Sequence, residues 1–194
     1  RNEYQYFSDG QACEGIFDYY MEKNDPIKAL QVVDYAVSQH PFAAVFFIKQ
    51  AQLYSITNQI DLALKALDKA ELLEASEPDI YLIRGGILGS IDRYEEAIEN
   101  LEKALSLTES PDEIYLQMAM LFQNKGDYEQ AVKYLKKSLQ VNMENQEALY
   151  ELAFCYDVLD RQEESISFYL QYIDNEPYSY AAWYNLANSY HKLD

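Results

Sequence analysis

Cysteine and histidine are nearly absent from this chain: two of each in 194 residues, with six glycines, five prolines and one tryptophan. Cys13 and Cys155 are far apart and lack CxxC spacing, so neither a disulfide framework nor a zinc site follows from them. His40 and His191 stand alone, without a second ligand or nucleophile at a useful spacing. The chain also lacks a GxxxxGK phosphate loop, an HExxH pair, a GxGxxG turn and a nucleophile elbow. The adjacent acids Glu95/Glu96 and Glu163/Glu164 read as solvated surface rather than as acid/base pairs. The expectation is a protein that is not an enzyme, with no cofactor and no metal. Apolar runs fall short of the roughly 18 residues that cross a bilayer, so membrane insertion is not expected, and no signal-peptide pattern occurs. Basic residues are scarce as well, 15 against 33 acids for a net charge of −18. Such a surface repels phosphate backbones, which excludes nucleic acid as the expected partner, and it attracts basic proteins or peptides. Unbridged thiols fit a reducing compartment, and a cytoplasmic location is expected.

What is present is amphipathic helix. The chain is 49% hydrophobic and 25% charged, with 19 tyrosines. Asp92 to Leu107 reads DRYEEAIENLEKALSL. Ala97, Ile98, Leu101, Ala104 and Leu105 recur at steps of three and four, which places them on one face. Asp92 is the expected N-cap, with Glu95 returning the hydrogen bond. Shifted by 34 residues the stretch reappears at Asn24, Asn58, Gly126 and Asp160, with no insertion or deletion between copies.

Ahead of each copy lies a second helical stretch with its own columns. A large anchor recurs at Cys13, Phe47, Tyr81, Tyr115, Leu149 and Trp183. Four residues on the column is small (Ala51, Gly85, Ala119, Ala153, Ala187), and three further it is bulky (Tyr20, Tyr54, Leu88, Phe122, Tyr156, Tyr190). The later helix answers with small Ala29, Ala63, Ala97, Ala131 and Ser165, then bulky Val33, Leu67, Leu101, Leu135 and Tyr169. Large facing small lets antiparallel helices interdigitate. Asp25–Pro26 and Gly126–Asp127 supply a cap with a first-turn proline and a permissive turn with a cap. Pro41 and Pro177 close second helices.

A two-helix, 34-residue period in these columns resembles the tetratricopeptide-repeat family. The resemblance implies an all-α, right-handed superhelical solenoid of antiparallel helix pairs. Its repeats are 10–43, 44–77, 78–111, 112–145 and 146–179, with the first helix of a sixth at 180–194. Residues 1–9 read as an extended lead-in or the tail of a different cap. Arg1 reads as a cut or processed end. Asp194 aligns with Asp92 and Asp160, so a fragment of a longer protein is expected.

The resemblance also implies a function: a non-catalytic scaffold that binds an extended or helical peptide in a concave groove lined by the first helices. Carried onto this sequence, the groove positions are Glu14, Ile48, Leu82, Leu116, Tyr150 and Tyr184 in one column. Asp18, Gln52, Gly86, Met120, Phe154 and Asn188 form another, with Gly89 beside them. The groove is therefore expected to be apolar in its middle and acidic at the first repeat, and its ligand apolar with basic residues. Glu14, Asp18 and Gln52 replace the cationic clamp with which the family grips a C-terminal carboxylate. Gly85, Gly86 and Gly89 weaken the helix from Tyr81 to Ser90 by about 1 kcal/mol each. There Arg84, in a mostly apolar column, serves either an internal carboxylate or a ligand. Tyr169, Tyr172, Tyr178, Tyr180, Trp183, Tyr184 and Tyr190 serve either as interface anchors or as packing for a further helix. Two other functions stay open: self-association or spacing through this aromatic region, and regulation of a catalytic domain elsewhere in a larger protein.

Overall fold

A computed structural model describes the backbone of residues 3–193 and the side chains of residues 10–193. Every described element is helical, and the chain divides into two compact units that meet in sequence at Ile91 and Asp92. The first holds α1 (Glu3–Glu22), α2 (Pro26–Gln39), α3 (Ala44–Ile56), α4 (Ile60–Leu73) and α5 (Pro78–Ser90). The second holds α6 (Tyr94–Leu107), α7 (Asp112–Asn124), α8 (Tyr128–Val141), α9 (Gln146–Val158), α10 (Gln162–Asn175) and α11 (Tyr180–Leu193). From α4 onward each helix starts 34 residues after its equivalent, in the frame the columns predict.

Hairpin turns repeat with the same period. Asn24, Asn58, Asp92, Gly126 and Asp160 all take positive φ, between 53° and 77°. Asn, Asp and Gly are the residues that enter this left-handed region at low cost. At the turns of Asn24, Asn58, Gly126 and Asp160 the amide three residues past the helix then reaches back to the last turn, as Asp25 N–H does to Tyr20 O (2.9 Å) and Asp127 N–H to Phe122 O (2.8 Å). This is a Schellman closure, and it satisfies carbonyls the helix leaves unpaired.

That geometry corrects the expected cap of α6. Asp92 is the left-handed turn residue and its carboxylate accepts from the Tyr94 hydroxyl, while the N-cap is Arg93, without a side-chain cap. Asp160 is shifted in the same way, and Arg161 caps α10. Arg93 and Arg161 instead form forked bonds to Glu96 and Glu164 one turn on. Asp25 and Asp127 cap as expected, accepting from Lys28 N–H and Gln130 N–H at 3.1 Å each. At the N-terminus α1 is already helical from Glu3, so the lead-in is not extended from there; nothing between Glu3 and Gly10 forces a break. Residues 1 and 2 and Asp194 lie outside the described residues.

The columns hold the core. Ala29, Ala63, Ala97, Ala131 and Ser165 are fully buried, as are Val33, Leu67, Leu101, Leu135 and Tyr169 beneath them. In the second unit Ala119, Ala131, Leu135, Ala148, Leu152 and Tyr156 pack into one cluster, and Ala153, Ile166, Tyr169, Ala182 and Leu186 into the next.

Candidate interaction surface

A first helix shows one side to its hairpin partner and the next repeat, and the remaining side to whatever lies in front of it. In the first unit the expected groove columns present polar Glu14, Asp18 and Gln52. Asp18 is exposed and faces Lys49 across 4.0 Å, with the Lys49 ammonium 4.2 Å from the centre of the Phe17 ring. Glu14 is half-buried beside them. Further along, Val45, Ile48, Lys49 and Gln52 of α3 meet Glu74, Glu77 and Asp79 around a hollow of about 200 Å³. The acidic character expected at the first repeat therefore extends to the α4–α5 turn.

The expected apolar strip is not open along its length. Ile48, Leu82 and Leu116 are buried. For Leu116 the reason is visible: Ala148 and Leu152 of the next first helix close over it in a shared cluster. Gly89 is buried and Gly86 half-buried, and α5 runs unbroken through all three glycines. Arg84 is spoken for internally. Its side chain is 13% exposed, and its guanidinium donates to Glu71 Oε2 at 2.6 Å and Asp68 Oδ1 at 3.1 Å. Glu71 also accepts from the Tyr81 hydroxyl at 2.9 Å, so Arg84 locks α5 to α4.

Within the expected groove columns, the exposed apolar side chains lie in the second unit. Met120 is 40% exposed and Tyr184 69%, with Tyr150 and Phe154 half-buried between them in sequence. Side chains tie the three first helices together under this face. The Gln123 amide donates to Glu151 Oε2 at 2.7 Å, joining α7 to α9. The Asn185 amide donates to the Tyr150 hydroxyl at 2.9 Å, joining α9 to α11. Burial raises the Tyr150 phenol above its ordinary range, with Glu151 adding to the shift. Charge here has one sign: α7 and α9 carry Asp112, Glu113, Glu147, Glu151 and Asp157 and no basic residue. Asn188 is half-buried at the α11 end of the face.

Two features of this region escape column reasoning. A buried polar chain runs from Ser165 Oγ to Ser189 Oγ (3.1 Å), on to Asp157 Oδ1 (3.1 Å), whose other oxygen takes Lys192 Nζ at 2.8 Å. It holds α9, α10 and α11 in register. Its sequence trace is Ser165 in the alanine column and Ser189 where Leu53, Ile87, Leu121 and Cys155 stand in earlier repeats. The second is Cys155, buried beside Gln123 Nε2 at 3.2 Å, whose thiol burial pushes up to about 11. A thiol so protonated at neutral pH is inert. Among the described residues there is no cluster of His, Cys, Asp and Glu able to hold a metal, and no helix long and apolar enough to cross a membrane.

Comparison with known proteins agrees with this architecture. A family model described as anaphase-promoting complex, cyclosome, subunit 3 matches residues 91–172. A thermophilic TPR protein of Thermus thermophilus is 16% identical with a TM-score of 0.80, over 93% of this chain and 98% of that one. YrrB, described as a TPR protein with an unusual peptide-binding site, is 23% identical with a TM-score of 0.64, over 82% of each chain. A chain of the APC/C hetero-tetramer Cut9–Hcn1 is 16% identical with a TM-score of 0.81, over 93% of this chain and 36% of that one. No curated protein sequence matches significantly.

Proposed function

We propose that this tetratricopeptide-repeat chain is a non-catalytic protein-interaction scaffold, and that the first-helix face of its second unit takes an apolar peptide bearing basic residues. The observation that carries the reading is the coincidence of open apolar side chains on α7, α9 and α11 with the wholly acidic charge of α7 and α9. Met120, Tyr150, Phe154 and Tyr184 offer apolar and aromatic contact of the kind that anchors interfaces. Glu113 and Glu147 stand beside them to meet lysine or arginine. Buried Leu116 supports this face from beneath instead of touching the ligand. In the first unit Ile48 and Leu82 are closed to a ligand in the same way, and the acids there share the preference for a cation. The peptide-binding description of YrrB and the assembly of Cut9 with Hcn1 support a binding role by likeness of fold. Buried, unbridged thiols accord with the cytoplasmic location expected for it.

Peptide display against the immobilised chain tests this. Selected sequences should combine Arg or Lys with Leu or Phe. Their affinity should fall at least tenfold in Met120→Ser/Tyr184→Ser and in Glu113→Lys/Glu147→Lys, with helical circular dichroism unchanged. Selection of acidic or purely polar peptides, or undiminished binding to both variants, overturns the reading.

A further inference from the structure

Basic side chains are scarce in this molecule, and many are already engaged. Lys28, Lys49, Lys125, Lys192, Arg84, Arg93 and Arg161 each sit in an ion pair. Lys133, Lys136 and Lys137, one turn of α8, are exposed and make no ion pair among the described residues. Lys136 acts electrostatically on Glu164, which Arg161 already holds. The three lysines are the densest positive charge left without a carboxylate on a chain of net −18.

Lys136 borders a hollow. Lys136, Leu139, Gln140 and Met143 of α8 and the turn after it, Leu152 of α9 and Phe168 of α10 enclose about 420 Å³, open to solvent. Lys133, Lys136, Gln140 and Met143 follow one another at helical steps along a single face, so the charged rim runs into the apolar hollow. Its floor is rigid: Leu152 is fully buried, and the Phe168 ring stacks on Tyr156 with centroids 5.7 Å apart. The hollow lies on the second helices, away from the face proposed above.

A segment with the complementary chemistry is on the same chain. In the α10–α11 turn, Tyr178 and Tyr180 are each 92% exposed and touch almost nothing. Asp174 and Glu176 precede them, exposed and without an ion pair among the described residues. The turn is pre-shaped by Pro177, whose carbonyl accepts from the Trp183 indole N–H at 2.8 Å, so little ordering remains on binding. Since these rings are almost wholly exposed, they do not occupy their own molecule's hollow. We infer that the hollow between α8 and α10 receives the acidic, tyrosine-bearing α10–α11 turn of a second copy of this chain. Lys133 and Lys136 meet Asp174 and Glu176, and a tyrosine ring enters between Leu139, Met143 and Phe168. Reciprocal exchange closes a two-fold pair, whereas one-way contact extends into an open row.

Charge-swap complementation tests the assignment by sedimentation equilibrium on the full chain up to millimolar concentration. Wild type should associate. Lys133→Glu/Lys136→Glu alone and Asp174→Lys/Glu176→Lys alone should each associate at least tenfold more weakly. An equimolar mixture of the two variants should regain wild-type association, because each then offers the charge the other lacks. Circular dichroism confirms that the substitutions leave the helices intact. A wild type that stays monomeric throughout overturns the inference, as does association that both variants retain. A mixture that fails to recover overturns it too, since the two surfaces are then not each other's partner. The peptide-binding face is untouched by these substitutions, so the two readings fail independently.

Discussion

Arg84 shows how a single odd residue is resolved by its neighbours. It stands in a column that is apolar in most copies, and a bare sequence leaves open whether a ligand or the fold uses it. The structure answers through Glu71 and Asp68, which sit one turn apart on α4 and converge on one guanidinium. Arg84→Ala strands the Glu71 carboxylate, itself partly buried, and should cost about 1–3 kcal/mol in urea unfolding without altering peptide selection. Cys155 carries a second expectation at this scale. Its folded-state pKa is about 11, whereas an unfolded thiol ionises near 8.5. The folded chain holds that proton more tightly, so this contribution to stability is complete below about pH 8.5 and is lost as pH rises towards 11. Wild type should lose up to roughly 3 kcal/mol more than Cys155→Ala across that window, read from paired melting curves. Alkylation of Cys155 in the native chain should be correspondingly slow.

At the scale of helices, the small columns decide how closely pairs approach. Ala131 is fully buried in the cluster that also holds Ala119, Leu135 and Leu152. Ala131→Leu should overpack α7 against α8 and cost about 1–3 kcal/mol, measured by thermal melting; a neutral result would place the column elsewhere. Helix existence, length and pairing were legible because every repeat restates them: Phe47, Tyr81 and Leu149 are buried where the period puts them. Two kinds of detail were not. Asp both caps helices and tolerates left-handed backbone, so the sequence does not say which role Asp92 takes, and the answer moved the cap by one residue. A column also says which way a side chain leaves its helix but not how far the next helix covers it. Leu116 and Met120 lie one turn apart on α7, yet Ala148 and Leu152 close over the first and leave the second open. The α8–α10 hollow was invisible for a related reason: its walls come from three helices of two repeats.

For the molecule as a whole, the surface is divided by chemistry. The first-helix face of the second unit is acidic and aromatic, while α8 gathers unpaired lysines on the other side of the hairpins. A scaffold with two surfaces of opposite character can hold a basic ligand on one and a copy of itself on the other. Neither demands a catalytic group. The tetratricopeptide fold was readable almost completely from period and columns. The division of the surface was not, because it depends on which charges are already paired inside the fold.

The left-handed turn residues have one more consequence, for how the chain can be cut and rejoined. Each sits at the same place in its hairpin and is Asn, Asp or Gly. A splice made at these points joins two ends that already share a backbone conformation, so the coding sequence can shorten or grow by whole repeats without inventing a new loop. Removing residues 127–160 joins Gly126 to Arg161 and pairs α7 directly with α10, small Ala119 facing small Ser165. That shortened chain should stay helical and melt in a cooperative transition. Removing half as many residues from the same starting point puts the apolar faces out of phase, and its melt should be broad or absent. In this sense the protein has a grain, and 34 residues is its unit of change.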